Sequence, residues 1–242
     1  LLHLERVIGI PASPEVRSET HLYDVVDSWV TCRAYASWIY WFLGDPERAV
    51  QESERSIAVA REIEHPFSVA LALSFASWLE QFRGERARAR ERALEAIDIS
   101  TERGFEFWIG WNQIIESWST LDDGDPATVV RQIDEGLESW RARHSELGLT
   151  YFLSLLADAW GAAGRVEAGL RVLDEAFAFV ESTGERVWAP ELYRLRGELL
   201  AAAPGSSEAA EAEFLRAVDL ARSHGSPALE ERAARHLSDE TG

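Results

Sequence analysis

Gly44, Gly84, Gly124 and Gly164 stand 40 residues apart with no slippage. A Ser-Trp pair precedes three of them at a constant interval, as Ser37-Trp38, Ser77-Trp78 and Ser117-Trp118, and the same register continues as Ala157-Asp158 and Gly197-Glu198. Five residues after the glycines come Ala49, Ala89, Val129 and Gly169. A fixed interval of this size marks a stacked-repeat chain. One repeat cannot bury its own apolar face, so each requires its neighbour and the core grows along one axis. Such stacks present extended binding surfaces more often than catalytic centres.

Each period divides into two helices. Phe67, Leu71, Phe75, Trp78, Leu79 and Phe82 recur three or four residues apart, which is one face of a helix. Gly84 is expected to stop that helix in a left-handed backbone conformation. A second helix then runs over 85–103, with Ala89, Ala93, Leu94, Ala96, Ile97 and Ile99 inward and Gly104 as its stop. Gly44-Asp45-Pro46 recurs as Gly124-Asp125-Pro126, a stop, a cap and a start in three residues. This pattern predicts first helices near 22–43, 66–83, 105–122, 148–163 and 187–202, second helices near 46–63, 85–103, 126–146, 165–183 and 207–224, and a last helix near 227–237. Arg232, Arg235 and Glu231 should give that last helix a polar face. Small residues hold fixed places: Ser37, Ser77, Ser117, Ala157 and Gly197 in first helices, Ser56, Ala96, Gly136, Ala176 and Ala217 in second helices. They predict closely packed helix pairs.

The expected fold is therefore all-α, a right-handed superhelix of antiparallel hairpins. Residues 1–20 read as the tail of a truncated upstream repeat followed by a loop, and residues 21–242 as a repeat domain of about five helix pairs with a C-terminal capping helix. The chain has no Met, even at position 1, which predicts a segment of something longer.

Composition excludes several chemistries. The formal charge is −18, from 42 acidic and 24 basic side chains, and a field of that sign repels phosphate backbones and anionic lipids. All the bases are arginine, so neither a P-loop lysine nor a Schiff-base lysine is available. Cys32 is alone, which rules out an internal disulfide and fits a cytoplasmic protein. No run is apolar enough over ~20 residues to cross a membrane. No histidine lies three or four residues from another or from Cys32, so local spacing suggests no metal site. No cofactor is implied.

The wording of the repeats is more specific than their period. The stretches RAYASWIYWFLGDPERAV, HPFSVALALSFASWLEQFRGE, YFLSLLADAWGAAGRVEAGLRVLDEAFAFVESTGERVWAPELYRLRGELL and AEAEFLRAVDLAR resemble the C-terminal tetratricopeptide-like repeat region of large bacterial multidomain ATPases. Glu191 to Leu200 is the most specific of them. Members of that family carry an N-terminal cyclase-type or DNA-binding regulatory domain, then an AAA/STAND-type nucleotide-binding domain, then such repeats. The resemblance implies a non-catalytic arm for protein–protein interaction and regulation, whose partners are the upstream domains of the parent protein or another protein. By analogy with repeat arms of sugar-responsive activators, a small-molecule effector is the alternative ligand. None of the family's ATP-binding or cyclase motifs is present, so no catalytic residue is carried over.

Two constellations bear on binding. Trp38, Trp78 and Trp118 occupy one register position, followed there by Asp158 and Glu198. They read either as a row lining a concave groove, extended by Trp111 and Tyr151, or as filling between repeats. The change from Trp to carboxylates favours the groove, because a buried carboxylate needs a partner. Trp140, Trp160 and Trp188 read as core. Arg83, Arg86, Arg88, Arg90 and Arg92 form the one basic cluster. With Glu85, Glu91 and Glu95 interleaved, it reads as a solvated ion-paired face rather than an anion site.

Overall fold

The computed structural model describes residues 1–10, 26–142 and 146–238, and all that follows concerns these. They form helices and turns with no strand among them. The chain divides into two compact units. One is Leu1–Trp41 with Asp45–Ser119, the other Thr120–Gly242 with Phe42–Gly44.

The first unit contains α1 (Leu2–Ile8), α2 (Ser28–Phe42, all but its last residue), α3 (Pro46–Glu62), α4 (Pro66–Phe82), α5 (Arg86–Arg103) and α6 (Glu106–Ser119). The turn chemistry works as the sequence implies. Asp45 accepts from the Arg48 amide ahead of Pro46, and Gly44 and Gly84 take φ of 80° and 75° in the turns. α2 starts later than expected because Asp27 caps it, taking the Val30 amide on Oδ1 at 2.9 Å; positions 22–25 lie outside the described residues. Gly124 sits in its turn without a positive φ. Its amide instead donates to the Thr120 carbonyl at 2.7 Å, part of a tight turn that ends α6 at Ser119 rather than near 122.

α4 differs from its sequence reading. Its periodicity suggested one buried face, yet every residue from Ser68 to Phe82 is buried. It packs against α3, α5 and α6, so no side is left to solvent. In α5 the inward face is narrower than expected: Ala89, Ala93, Ala96 and Ser100 are buried, whereas Leu94 is exposed and Ile97 and Ile99 are half-buried. At 3.6 residues per turn, position 94 is rotated away from the strip through 89, 93, 96 and 100.

The second unit contains α7 (Pro126–Ala142), α8 (Leu149–Ala162), α9 (Val166–Thr183), α10 (Ala189–Ala201), α11 (Ser207–Ser223) and α12 (Pro227–Ser238). α7 is described as far as Ala142 of the expected 126–146; 143–145 lie outside the described residues, and Glu146 is not helical. α9 stops at Gly184 with φ 75°. Each helix of this unit packs on the next, and α8 also packs on α10. This is the expected all-α, TPR-like solenoid class.

The fixed small positions are where helices touch. Ser37, Ser77, Ala96, Ala157, Ala176 and Ala217 have no accessible surface. A Cβ on Gly197 would lie 2.6 Å from the Phe214 ring, and one on Gly169 would lie 2.8 Å from Leu199. The serines do more than stay small. Ser56 donates to the Val30 carbonyl at 2.9 Å, tying α3 to α2. Ser77 Oγ lies 2.9 Å from Asn112 Oδ1, and Asn112 Nδ2 donates to Ser74 Oγ at 2.7 Å and to the Trp108 carbonyl at 2.8 Å. A buried polar cluster thereby fixes α4 against α6, since each buried polar atom left unmatched would cost about 1–3 kcal/mol.

Candidate functional site

The recurrent tryptophans of the first unit converge. Trp38 on α2 is half-buried, with its ring centroid 4.5 Å from Trp78 on α4 and 4.2 Å from Phe75. Trp78 lies 4.3 Å from Trp111 on α6. Trp38 Nε1 donates to the Phe75 carbonyl at 2.9 Å, which fixes the indole. Trp78, Trp111 and Trp118 are all at most 5% exposed. Trp118 lies under the Arg86 guanidinium, 4.0 Å from its ring, and its carbonyl accepts from Arg86 Nη1 at 2.8 Å. The structure uses Trp78, Trp111 and Trp118 as filling between helices and leaves Trp38 partly open. Tyr35, missed by the sequence reading, is 42% exposed and packs edge-on to Phe75 at 4.8 Å. Its signal was position 35, one turn before Trp38 on the same helix face.

Each of the five clustered arginines has a partner. Arg83 Nη1 reaches the buried Glu80 at 2.5 Å and Arg88 reaches it at 3.7 Å. Arg90 pairs with Glu116 at 3.0 Å and Arg92 with Glu54 at 2.7 Å. The ion-paired reading holds, but these carboxylates come from α3, α4 and α6 rather than from Glu85, Glu91 and Glu95. Burial raises the Glu80 carboxyl, against the pull of Arg83 and Arg88.

The second unit holds the other candidates. Tyr151 is buried on α8 beside Trp188, 5.2 Å between centroids, and burial pushes its hydroxyl well above the usual tyrosine range. Trp140 and Trp188 are core, as expected, and Trp160 is half-buried. Asp158 on α8 and Glu198 on α10, both half-buried, flank a cavity of about 150 Å³. Behind Glu198 lies a charge network that spacing alone did not reveal. Glu191 accepts from Arg194 Nε at 3.0 Å and Nη2 at 2.9 Å, and from Arg232 Nη1 at 3.0 Å. Arg194 Nη1 reaches Glu198 Oε1 at 2.5 Å, and His236 Nε2 lies 3.2 Å from the same oxygen. The His236 ring stacks on Phe214 at 4.7 Å. Burial works to raise Glu191, but Arg194 and Arg232 reverse it and bring that carboxyl to about 2. Burial raises Glu198, assisted by Asp158 and Glu191 and opposed by Arg194. Arg232 was expected on an outward polar face of α12. It turns inward because the buried Glu191 charge requires a second cation; Arg235 and Glu231 do pair at the surface.

Other reactive side chains have structural duties. The Ser68 hydroxyl lies 2.8 Å from His65 Nδ1, but Ser68 is wholly buried and His65 caps α4 by accepting from the Ser68 amide. Cys32 is half-buried, its thiol raised by burial and by Asp27. His21 and His144 lie outside the described residues. Among the described residues no group of three metal-ligating side chains gathers, and no helix is long and apolar enough to cross a membrane.

Fold and packing define a TPR-like repeat region, and solved structures agree. The apo form of RapI superposes with a TM-score of 0.58 at 15% identity, over 90% of this chain and 85% of that one. TPR-like repeats of a Podosopora anserina kinesin light chain give 0.50 at 14% identity, over 79% and 93%. These likenesses concern the fold alone. No family profile matches the sequence. An uncharacterized protein of Rhizobium meliloti (strain 1021) is 32% identical over 133 residues, or 55% of this chain, and the matched region spans 13% of that protein.

Proposed function

We propose that this chain is a non-catalytic interaction and regulatory arm of a larger cytoplasmic signalling ATPase, with its contacts on the first helices of its repeats. TPR-like folds commonly serve protein–protein interaction. The observation that carries the proposal is the contrast along one register position. Trp78 and Trp118 are packed away, whereas Trp38, Asp158 and Glu198 keep accessible surface beside Tyr35 and a small cavity. In the first unit, Tyr35 and Trp38 offer an aromatic contact backed by Trp78 and Trp111. In the second, Asp158 and Glu198 offer an acidic one, with Arg194 and His236 held on Glu198. The ATPase assignment rests on the resemblance of the repeat wording, above all 191–200. Binding would favour one arrangement of the upstream domains over another.

The test is calorimetry of this chain against the upstream region of the longer protein. Saturable binding is expected, weakened by about tenfold or more by Tyr35→Ala with Trp38→Ala, as for truncated aromatic hot spots. No binding to any upstream region, together with unchanged ATP turnover when the repeats are deleted, would overturn the assignment.

A further inference from the structure

The cavity between α8 and α10 combines two chemistries. Ala157, Leu195, Leu199 and Ala202 supply apolar wall, while Asp158 and Glu198 supply charge from equivalent positions of successive first helices. At about 150 Å³ it is well below the roughly 300–1,000 Å³ of ordinary small-molecule sites. It is matched instead to one long side chain. Apolar walls call for methylenes and the carboxylates for a cation at the end of them. Lysine joins an aliphatic stem to a compact charge with three rotatable donors. Arginine is served less well. Arg194 and His236 both contact Glu198 on Oε1, so the two oxygens no longer form an equivalent pair for a bidentate fork.

The occupant comes from outside this sequence, which contains no lysine. The charge of −18 draws basic segments toward the chain and speeds their encounter. At the site itself, burial disfavours the charged form of Glu198, Arg194 opposes that only in part, and the neighbouring Asp158 and Glu191 add to it, so a second cation acts in the same direction as Arg194. We propose that this cavity receives a lysine side chain from a segment of a partner protein, with its stem against Leu195 and Leu199 and its ammonium between Asp158 and Glu198. The proposal rests on the chain being an interaction module and names the chemistry of the partner.

The experiment uses the full chain with labelled leucine methyl groups, followed by NMR. The probe is an acetylated and amidated peptide, Gly-Ser-Leu-Lys-Leu-Ser-Gly. Saturable shifts are expected at Leu195 and Leu199. Acetylating the probe's lysine should weaken binding about tenfold or more, because it removes the charge. Asp158→Asn should weaken it about fivefold, less at high salt. Ala202→Trp, at an exposed position on the cavity wall, should abolish it with the melting midpoint retained. Absence of saturable shifts, or equal binding of the acetylated probe, would overturn the proposal. So would free n-butylamine binding as tightly as the peptide, which would make this a small-amine site. Calorimetry of Ala202→Trp and the parent chain against the upstream region separates the two ideas. Failure of the lysine probe with upstream binding intact removes only the pocket assignment, and the reverse outcome removes only the upstream partner.

Discussion

Glu191→Gln gives the most direct access to the energetics of the second unit. The substitution keeps the shape and removes the charge that receives three guanidinium hydrogen bonds. Removing one partner of a buried ion pair costs about 3–5 kcal/mol. The lower end applies here. Arg194 keeps Glu198 at 2.5 Å, and Arg232, with its side chain 21% exposed, can recover water. A loss of ~3 kcal/mol is therefore expected near pH 7, or roughly 6–12 °C in Tm at ~2–4 °C per kcal/mol for a chain of this size. The pH dependence carries a sign. Glu191 has a folded value near 2 against an ordinary 4.5. Its stabilisation is thus fully present above about 4.5 and is lost as pH falls through about 2. Urea unfolding of both proteins from pH 7 to pH 2 should show the gap closing only below about 4.5. In the Glu191→Gln background, Arg232→Met should cost less than in the parent, since the two share one network. A gap below ~1 kcal/mol at pH 7, the scale of exposed pairs, would refute the buried network, and a gap that survives unchanged at the acid end would refute ionisation as its source.

Trp78→Ala should cost about 3–5 kcal/mol, as truncation of a large core side chain does, because the ring lies among Trp38, Trp111 and Phe82; thermal melts decide it, and a loss under ~1 kcal/mol would return Trp78 to the open surface. Gly197→Ala sets a helix-propensity gain of ~1 kcal/mol against a Cβ at 2.6 Å from Phe214, so a net loss of about 1–2 kcal/mol is expected. Because His236 stacks on that ring, its NMR signals should shift too, and unchanged signals would show that Phe214 yields without disturbing α12.

The sequence by itself determined the helical, repeated class of this protein and most of its punctuation. Glycine at φ 80° and 75° in the turns at 44 and 84, Asp45 as cap and Pro46 as first helical residue are local effects, set by backbone sterics and nearby amides. The small positions were legible for the same reason: helices that approach closely leave a mark at every repeat. What lies between elements was not legible. Spacing placed Trp38, Trp78 and Trp118 in one row, but exposure is a property of neighbours. Only the packing of α2, α4 and α6 decided that Trp78 is enclosed and Trp38 is not. Interleaved glutamates suggested local partners for the arginines of α5, whereas long guanidinium side chains reach carboxylates on adjoining helices. Glu191, Arg194 and Glu198 follow helical spacing and could be seen as a charged strip on α10, yet nothing near them in sequence announces Arg232 and His236, about 40 residues on. Coulomb attraction in a desolvated space selects partners by distance through the fold, and that distance exists only once α10, α11 and α12 have packed.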